Sequence, residues 1–292
     1  MEWLKPDDSN DGIEVEKNNG GGNGRMFGKV GGIGAVVIVI ISLILGKNPL
    51  QVLGFVNNVL PDQQQTTSVG TITTNGNNDS TFTRRVYNST NTVWSGIFNN
   101  QFHRTYTKPV LALFSGSTQT SCGGASSASG PFYCPGDSKV YIDLSFFRQL
   151  SQQFRAPGDL AKAYVVAHEM GHHIQHLLGV TDQVDAARQR LSNDAYNKLS
   201  VKLELQADFY AGLWAHYAQQ EGIISLSDTD IDQALAAANA VGDDNLQKQA
   251  QGYVVPESFT HGTSAQRIYW FKKGYTTGDF SQGDTFNAPS LN

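Results

Sequence analysis

The string HEMGH at residues 168–172 constrains this chain more than any other feature. Residues four apart lie on one face of a helix, one turn from each other, so both histidines can reach the same metal ion. Glu169 lies beside the first histidine and can accept a proton from a water without binding the ion. The spacing therefore predicts a metal-binding helix, with Asp159 as its N-cap and Gly179 as its end.

The string LELQAD supplies two further carboxylates four apart, Glu204 and Asp208, on a predicted helix from about 196 to 220. We predict that His168, His172 and Glu204 bind one zinc ion per chain, because three protein ligands and an open position are typical of catalytic zinc. Asp208 is predicted to accept a hydrogen bond from a ligand histidine. The alternatives are a buried helix with hydrogen-bonded histidines, and carboxylates on a solvated helix face.

Zinc of this kind lowers the pKa of water to about 7, and Glu169 then acts as general base in the attack on a carbonyl. A third string, HGTSAQR, begins at His261 and opens the last predicted helix. His261 or Arg267, brought to the metal, could stabilise the oxyanion, although the string also reads as a capped helix start. His173 and His176 are predicted to be structural, because neither shares the ligand positions on the helix.

Composition allows one sizeable domain plus appendages. The chain has 292 residues, a formal net charge of −5 and only 16% charged residues. A protein that binds nucleic acid through its phosphates carries clustered basic residues. No such block is present, so we predict no nucleic-acid partner.

An apolar run occupies residues 30–46, preceded by Lys17, Arg25 and Lys29 and followed closely by Lys47 alone. The positive-inside rule predicts a single-pass anchor with the N-terminus in the cytoplasm and the catalytic part outside. A buried core helix is one alternative. A cleaved signal peptide is another, but its charged region would be long and the run lacks a small-x-small cleavage pattern.

The chain has two cysteines, Cys122 and Cys134, separated by the flexible string GGASSASGPFY. An exported domain favours a disulfide between them, and two free thiols are the alternative. A zinc role is disfavoured because no other cysteine or histidine lies nearby in sequence.

The order of segments predicts an α+β, mainly helical domain with a small β-sheet, behind one N-terminal transmembrane helix. Strands are predicted at 108–115 and 139–146, and Val140–Leu144 is the candidate edge strand that binds extended substrate. The predicted divisions are a disordered cytoplasmic tail at 1–29, an anchor at 30–46, a membrane-proximal segment and linker at 47–80, the catalytic domain at 81–275 and a flexible tail at 276–292.

The strings CGGASSASGPFYCPGD, VYIDLSFF, VVAHEMGHHIQHLLG, LELQADFYAGLWA and HGTSAQR occur in this order over most of residues 81–275. In them the chain resembles the neutral zinc metallopeptidases of bacteria, membrane-anchored relatives of the glutamate-ligand zincins. The resemblance implies a zincin-like fold, His168, His172 and Glu204 as zinc ligands, Glu169 as catalytic base and an approach of His261 to the site. Phe209 departs from the cysteine found in many relatives, at a position that implies packing only.

The leading hypothesis is a zinc endopeptidase, tethered to the bacterial cytoplasmic membrane, that acts on protein or peptide in the periplasmic or extracellular space. A zinc amidase that acts on cell-wall peptides is the first alternative, because the motif determines the chemistry but not the chain that is cut. The second alternative is an inactive, zinc-stabilised envelope interaction module. The intact Glu169 argues against it, since a dead enzyme has no chemical need for that base.

Overall fold

The computed structural model describes residues 1–16 and 74–291, and within those ranges the chain forms eight α-helices and eight short strands. The helices are α1 (Thr74–Gln101), α2 (Ser145–Gln152), α3 (Asp159–Leu177), α4 (Val180–Arg188), α5 (Asn193–Gln220), α6 (Asp228–Ala240), α7 (Asp243–Gln251) and α8 (Ser264–Thr277). The strands are β1 (Glu2–Trp3), β2 (Ile13–Val15), β3 (Val110–Phe114), β4 (Ser117–Thr120), β5 (Gly123–Ser126), β6 (Phe132–Cys134), β7 (Lys139–Asp143) and β8 (Ile224–Ser225). The prediction of a mainly helical domain with a small sheet is confirmed.

The main sheet has four strands in the order β2-β3-β7-β6. Strands β2, β3 and β7 run parallel, whereas β6 runs antiparallel to β7. The central strands β3 and β7 are almost wholly buried, as expected for parallel strands covered on both faces. The chain bends into α2 at Ser145, so the second predicted strand is shorter than the range 139–146. A disulfide joins Cys122 to Cys134 at the end of β6.

Helices α3 and α5 pack against each other in the core and carry the predicted metal ligands. Their close approach requires a glycine, because a Cβ at Gly171 would lie 3.0 Å from the backbone oxygen of Ala207. At the start of α3, Gly158 occupies the N-cap position and Asp159 is the first helical residue, so the predicted N-cap is displaced by one position. Gly179 follows the helix in the left-handed conformation, which is the conformation that commonly ends a helix and that glycine adopts most readily.

Residues 1–16 were expected to be a disordered cytoplasmic tail, and this prediction is wrong. Strand β1 pairs with β8, and β2 pairs with β3 at the edge of the main sheet. This acidic segment meets basic side chains of the domain, in the ion pairs Arg85–Asp8, Lys108–Asp11 and Lys139–Glu14. Composition predicted disorder because it does not reveal the strand partners, which lie about 220 residues further along the chain for β1 and about 100 for β2.

The strand pairing also corrects the predicted division across a membrane. Two strands that share hydrogen bonds lie on the same side of any bilayer, so residues 1–16 and the domain are not separated by one. The predicted anchor at 30–46 lies outside the described residues. In the described ranges, no helix is long and apolar enough to cross a membrane.

Two further boundaries differ from the prediction. Helix α1 begins at Thr74, so the end of the predicted linker at 47–80 is helical. The predicted flexible tail from 276 is packed on the domain through a 3₁₀ turn at Phe280–Gly283. Phe280 stacks on Tyr210 with ring centroids 5.4 Å apart, and Thr285 is fully buried. Aromatic packing therefore holds a segment whose polar composition had indicated a loose end.

Candidate metal centre

Three predicted ligands come together between α3 and α5. One nitrogen of His168, one nitrogen of His172 and one oxygen of Glu204 all lie within 4.8 Å of one another. The shortest approaches to the carboxylate are 3.1 Å from His168 Nε2 and 3.6 Å from His172 Nε2. In the ranges 1–16 and 74–291, this is the group of three or more ligating side chains that can hold a metal ion.

The donor set fits zinc. Two imidazole nitrogens and one carboxylate oxygen are the ligands of catalytic zinc sites, which keep a fourth position open. His168 and Glu204 are buried and His172 is half-buried, so the donors converge on a shielded space that opens into a cavity. These residues would hold the ion, because convergent nitrogen and oxygen donors at a cavity wall leave one side free for water or substrate.

The charges around the ligands favour a cation. Burial alone would raise the pKa of Glu204, but His172 and His261 outweigh it and hold that pKa well below its usual range. Burial alone would lower the pKa of His168, but Asp208 raises it to about 9. The ligand space is therefore lined by ionised carboxylates, which attract positive charge.

Asp208 lies behind His168 and is fully buried. Its Oδ1 is 2.9 Å from His168 Nδ1 and accepts a hydrogen bond of 2.5 Å from the Tyr164 hydroxyl. An ionised carboxylate only accepts hydrogen bonds, so Nδ1 of His168 donates to Asp208. Nε2, which lies 3.1 Å from Glu204 Oε2, is the nitrogen that faces the metal space and would bind the ion once it has lost its proton. The structure brings Asp208 to the place that its predicted role requires.

Arg267 was one candidate for stabilising the oxyanion, but its guanidinium contacts Asp208. Its Nε donates to Asp208 Oδ2 at 2.8 Å and its NH2 group donates to Asp208 Oδ1 at 2.9 Å. The planar fork of arginine suits this two-point contact, which holds a carboxylate in one orientation. Arg267 thus supports the ligand histidine through Asp208.

The support of His172 was missed by the sequence reasoning. Its Nδ1 lies 2.8 Å from Oε1 of Gln175, one turn along the same helix. The spacing of three residues placed Gln175 near that face of the helix, but a neutral amide carries no motif of its own. His172 is therefore held by an amide, in contrast to the carboxylate behind His168.

His261 lies at the cavity and is buried. The loop that presents it folds around Asp243, whose Oδ2 accepts the backbone N–H groups of Thr260, His261 and Gly262. Asp243 Oδ1 lies 3.3 Å from His261 Nδ1. Burial alone would lower the pKa of His261, but Glu204 and Asp243 raise it. Asp243 was missed because an aspartate at a helix start reads as a simple cap.

Glu169 lines the same cavity, which has a volume of about 170 Å³. The walls away from the ligands are largely apolar and aromatic. They include Phe132, Phe146, Phe154, Val165 and Leu246. The cavity therefore joins the predicted base and ligands to a space that suits an apolar side chain.

The predicted substrate-binding edge strand, Val140–Leu144, is wrong. Residues 139–143 form β7, which is hydrogen-bonded to β3 on one side and to β6 on the other. The outer position belongs to β6, and Phe132 and Tyr133 of that strand line the cavity. Alternating apolar residues predicted β7 but did not reveal that it lies inside the sheet, and β6 was not predicted.

The other two histidines of α3, His173 and His176, do not belong to the ligand group. His173 Nε2 lies 2.7 Å from the backbone oxygen of Thr107, and Nδ1 lies 3.1 Å from the Tyr133 hydroxyl. Burial lowers the pKa of His173 to about 4, so the ring is neutral. His176 packs beside Tyr133 at a ring distance of 6.1 Å. Both positions agree with a structural role.

Comparison with known proteins supports the same chemistry. The model of a family described as "Putative neutral zinc metallopeptidase" matches residues 1–286. The chain is 42% identical over 289 residues to the uncharacterized protein YpfJ of Escherichia coli strain K12, covering 98% of this chain and 99% of that protein. It is 47% identical over 213 residues to the uncharacterized protein Rv2575 of Mycobacterium tuberculosis strain H37Rv, covering 70% of this chain and 69% of that protein. No solved structure matches.

Proposed function

The chain belongs to the neutral zinc metallopeptidase family, and on that premise we propose that it is a zinc-dependent endopeptidase with Glu169 as its general base. The observation that carries the proposal is the convergence of His168, His172 and Glu204 within 4.8 Å at a cavity that Glu169 also lines. A purely structural zinc site is closed by four protein ligands, whereas this group offers three and opens to a cavity.

In the proposed hydrolysis of a peptide bond, the metal ligands, the general base and Asp208 have separate roles. When bound, zinc polarises the scissile carbonyl and makes water more acidic. Glu169 accepts the proton of the attacking water and returns it to the leaving amine, so one carboxyl group serves as base and then as acid. His168, His172 and Glu204 hold the metal, and Asp208 keeps the Nδ1 proton of His168 in place.

His261 is proposed to stabilise the oxyanion. Its ring is buried at the cavity, and Asp243 fixes its loop through three backbone N–H groups. A donor that is already oriented before the reaction needs no reorganisation when charge develops on the carbonyl oxygen. The raised pKa of His261 favours the protonated ring, which is the form that donates on both sides.

The substrate is proposed to be an extended peptide. Strand β6 has no second strand partner in the described ranges, and its residues Phe132 and Tyr133 reach the cavity. A peptide that adds to this edge would pair through its backbone and place alternate side chains toward the wall. The apolar wall favours a bulky apolar side chain near the bond that is cut.

The decisive experiment compares the full chain with its Glu169→Gln variant for zinc content and for cleavage of casein and a peptide library. One zinc per chain in both, with cleavage only in the wild type, is the expected result. A general base contributes about 10²–10⁴-fold to the rate, so the variant should lose at least that much. Undiminished turnover in Glu169→Gln would overturn the mechanism.

Assays on the same two proteins also distinguish the endopeptidase from two alternatives, a cell-wall amidase and an inactive interaction module. Cleavage of muropeptides without cleavage of unfolded protein would favour a cell-wall amidase. Zinc in both proteins with no hydrolysis of either substrate would favour a zinc-stabilised interaction module.

A membrane tether at residues 30–46 remains part of the proposal. The disulfide between Cys122 and Cys134 supports a location outside the cytoplasm, where such bonds persist. Because β2 pairs with β3, the proposed tether would hold the chain at the membrane without crossing it, which leaves residues 1–16 on the same side as the metal centre. In membrane-bound protein, exposed Pro6→Cys and Gln189→Cys should react alike with a membrane-impermeant maleimide. Labelling of one position alone would contradict this arrangement.

A further inference from the structure

We propose that Gln175 and Gln206 form an amide relay through which the C-terminal segment, together with the backbone oxygen of Leu203, sets the proton position on His172. The relay runs from His172 Nδ1 to Gln175 Oε1 at 2.8 Å, then from Gln175 Nε2 to Gln206 Oε1 at 3.2 Å. It ends where Gln206 Nε2 donates to the backbone oxygen of Gly283 at 3.0 Å. Both glutamines are buried, so these contacts replace solvent as their partners. This inference rests on the proposed function, because it assigns positioning residues to the same metal centre.

The direction of the relay is determined by its carbonyl ends. A glutamine amide can in principle be turned over, which exchanges its donor with its acceptor. Gly283 O accepts only, so the NH₂ group of Gln206 faces it and Oε1 faces Gln175. Leu203 O lies 2.6 Å from Gln175 Nε2 and imposes the same choice there. Oε1 of Gln175 is therefore left for His172.

An acceptor at this position requires His172 to carry its proton on Nδ1. The other nitrogen, Nε2, is then bare and lies 3.6 Å from Glu204 Oε1 on the metal side. A neutral histidine must present a bare nitrogen to bind a metal. The relay thus selects the one neutral form of His172 that can act as a ligand.

The far end of the relay is held rigidly. A Cβ at Gly283 would lie 2.6 Å from the ring of Phe209, so only glycine permits this approach to α5. The Thr285 hydroxyl donates to the backbone oxygen of Lys202 at 2.6 Å, and Lys202 Nζ donates to that of Phe286 at 2.9 Å. The C-terminal segment is therefore fastened, just after Gly283, to the helix that carries Glu204.

Gln175 and Gln206 are positioning residues, because they act through His172. The test uses Gln206→Met, which keeps the volume of the side chain, removes its hydrogen bonds and leaves every direct contact of His172 in place. The matched control is Gln247→Met, since Gln247 is also buried and its hydrogen-bond partners, Ser258 and Val255, are not metal ligands. Zinc affinity is measured on the full chain by competition with a chromophoric chelator, beside thermal unfolding.

We expect Gln206→Met to weaken zinc binding by up to about tenfold, which is less than the roughly 10–100-fold typical of a direct partner of a ligand histidine, because Leu203 O still contacts Gln175 in the variant. Gln247→Met should bind zinc like the wild type even where its thermal stability falls by the same amount. Equal zinc affinity in Gln206→Met and wild type, with both folded, would overturn the relay.

A second measurement does not depend on zinc or on the folding of a variant. The ¹⁵N chemical shifts of His172 in metal-free wild type at alkaline pH report which ring nitrogen holds the proton. The relay requires the proton on Nδ1, and a proton on Nε2 would refute it. A wild type that binds no zinc would defeat the proposed function, whereas the ¹⁵N shifts would still decide the relay.

Discussion

The two histidines of the metal centre are held in different ways. Behind His168 lies a charged group, the fully buried Asp208, which receives hydrogen bonds from Tyr164 and Arg267. Behind His172 lies the neutral amide of Gln175. Both partners accept a hydrogen bond from Nδ1 and leave Nε2 for the metal. The comparison teaches that one helical motif determines the ligands, while each ligand receives its orientation from a different part of the fold.

The difference also concerns energy. A buried carboxylate requires compensation by donors and a positive charge, and Asp208 receives four hydrogen bonds, two of them from the Arg267 guanidinium. An amide needs no counter-charge, but it must be turned the right way. The orientation of His168 should therefore be more sensitive to the loss of one hydrogen-bond partner of Asp208. The orientation of His172 should be more sensitive to a change that lets the Gln175 amide turn over.

The largest effect is expected when a ligand itself is removed. His168→Ala and His172→Ala should each abolish stoichiometric zinc binding, because two protein ligands hold zinc far less tightly than three. Metal analysis after dialysis measures this. Zinc retained in either variant would show that the donor belongs to the support and not to the ligand set.

Asp208→Asn should come next. Its amide can present an N–H group to His168, which favours the wrong proton position, and it leaves Arg267 without its counter-charge. Zinc affinity should fall about 10–100-fold, as it does for changes of this kind. Chelator competition measures the loss, and an affinity unchanged from wild type would remove Asp208 from this role.

Arg267→Lys tests the planar contact with Asp208. Lysine keeps the positive charge but loses the two-point geometry, so the carboxylate can rotate away from His168. We expect zinc affinity to fall by up to about tenfold, or about 1.4 kcal/mol. A loss as large as that of Asp208→Asn would indicate that geometry, more than charge, carries the support.

Tyr164→Phe should have the smallest effect on zinc. Asp208 keeps both contacts with Arg267, so the orientation of His168 is preserved. The lost hydrogen bond to a charged group should cost roughly 1.5–3 kcal/mol of unfolding free energy. Denaturant unfolding and chelator competition on the same sample separate the two effects. Zinc affinity that falls with stability would place Tyr164 in the support of the metal.

The ligand group was accessible to prediction because it depends on local geometry. His168 and His172 share a helix face through their spacing, and so do Glu204 and Asp208. Small residues such as Gly171 and Ala207 allow the two helices to approach. The donor chemistry of these side chains then points to zinc, before any contact between the helices is known.

Other parts of the site depend on segments that meet only in the folded chain. Asp208 and Arg267 are 59 residues apart, and Gln206 and Gly283 are 77 residues apart. The same holds for Asp243, which fixes His261 by accepting backbone N–H groups from a loop that begins at residue 260. None of these residues has a neighbour in sequence that discloses its partner.

The prediction that Val140–Leu144 is an edge strand was wrong for the same reason. Alternation of apolar residues shows that a segment is a strand, but β7 is internal because β3 and β6 pair with it. Residues 1–16 and the segment after 276 have polar compositions typical of loose ends. Residues 1–16 are ordered because they form ion pairs and a strand at the edge of the main sheet. The segment after 276 is ordered because Phe280 packs on Tyr210.

The sequence by itself therefore determined the metal-binding helices, the donor set and the mainly helical class, because helical period and side-chain chemistry are properties of short segments. Only the tertiary structure decided which donors support His168 and His172, which strand faces the cavity and where the two ends of the chain lie. Those features depend on contacts between residues that are distant in sequence, and the pattern of a short segment does not reveal which distant residues it will contact.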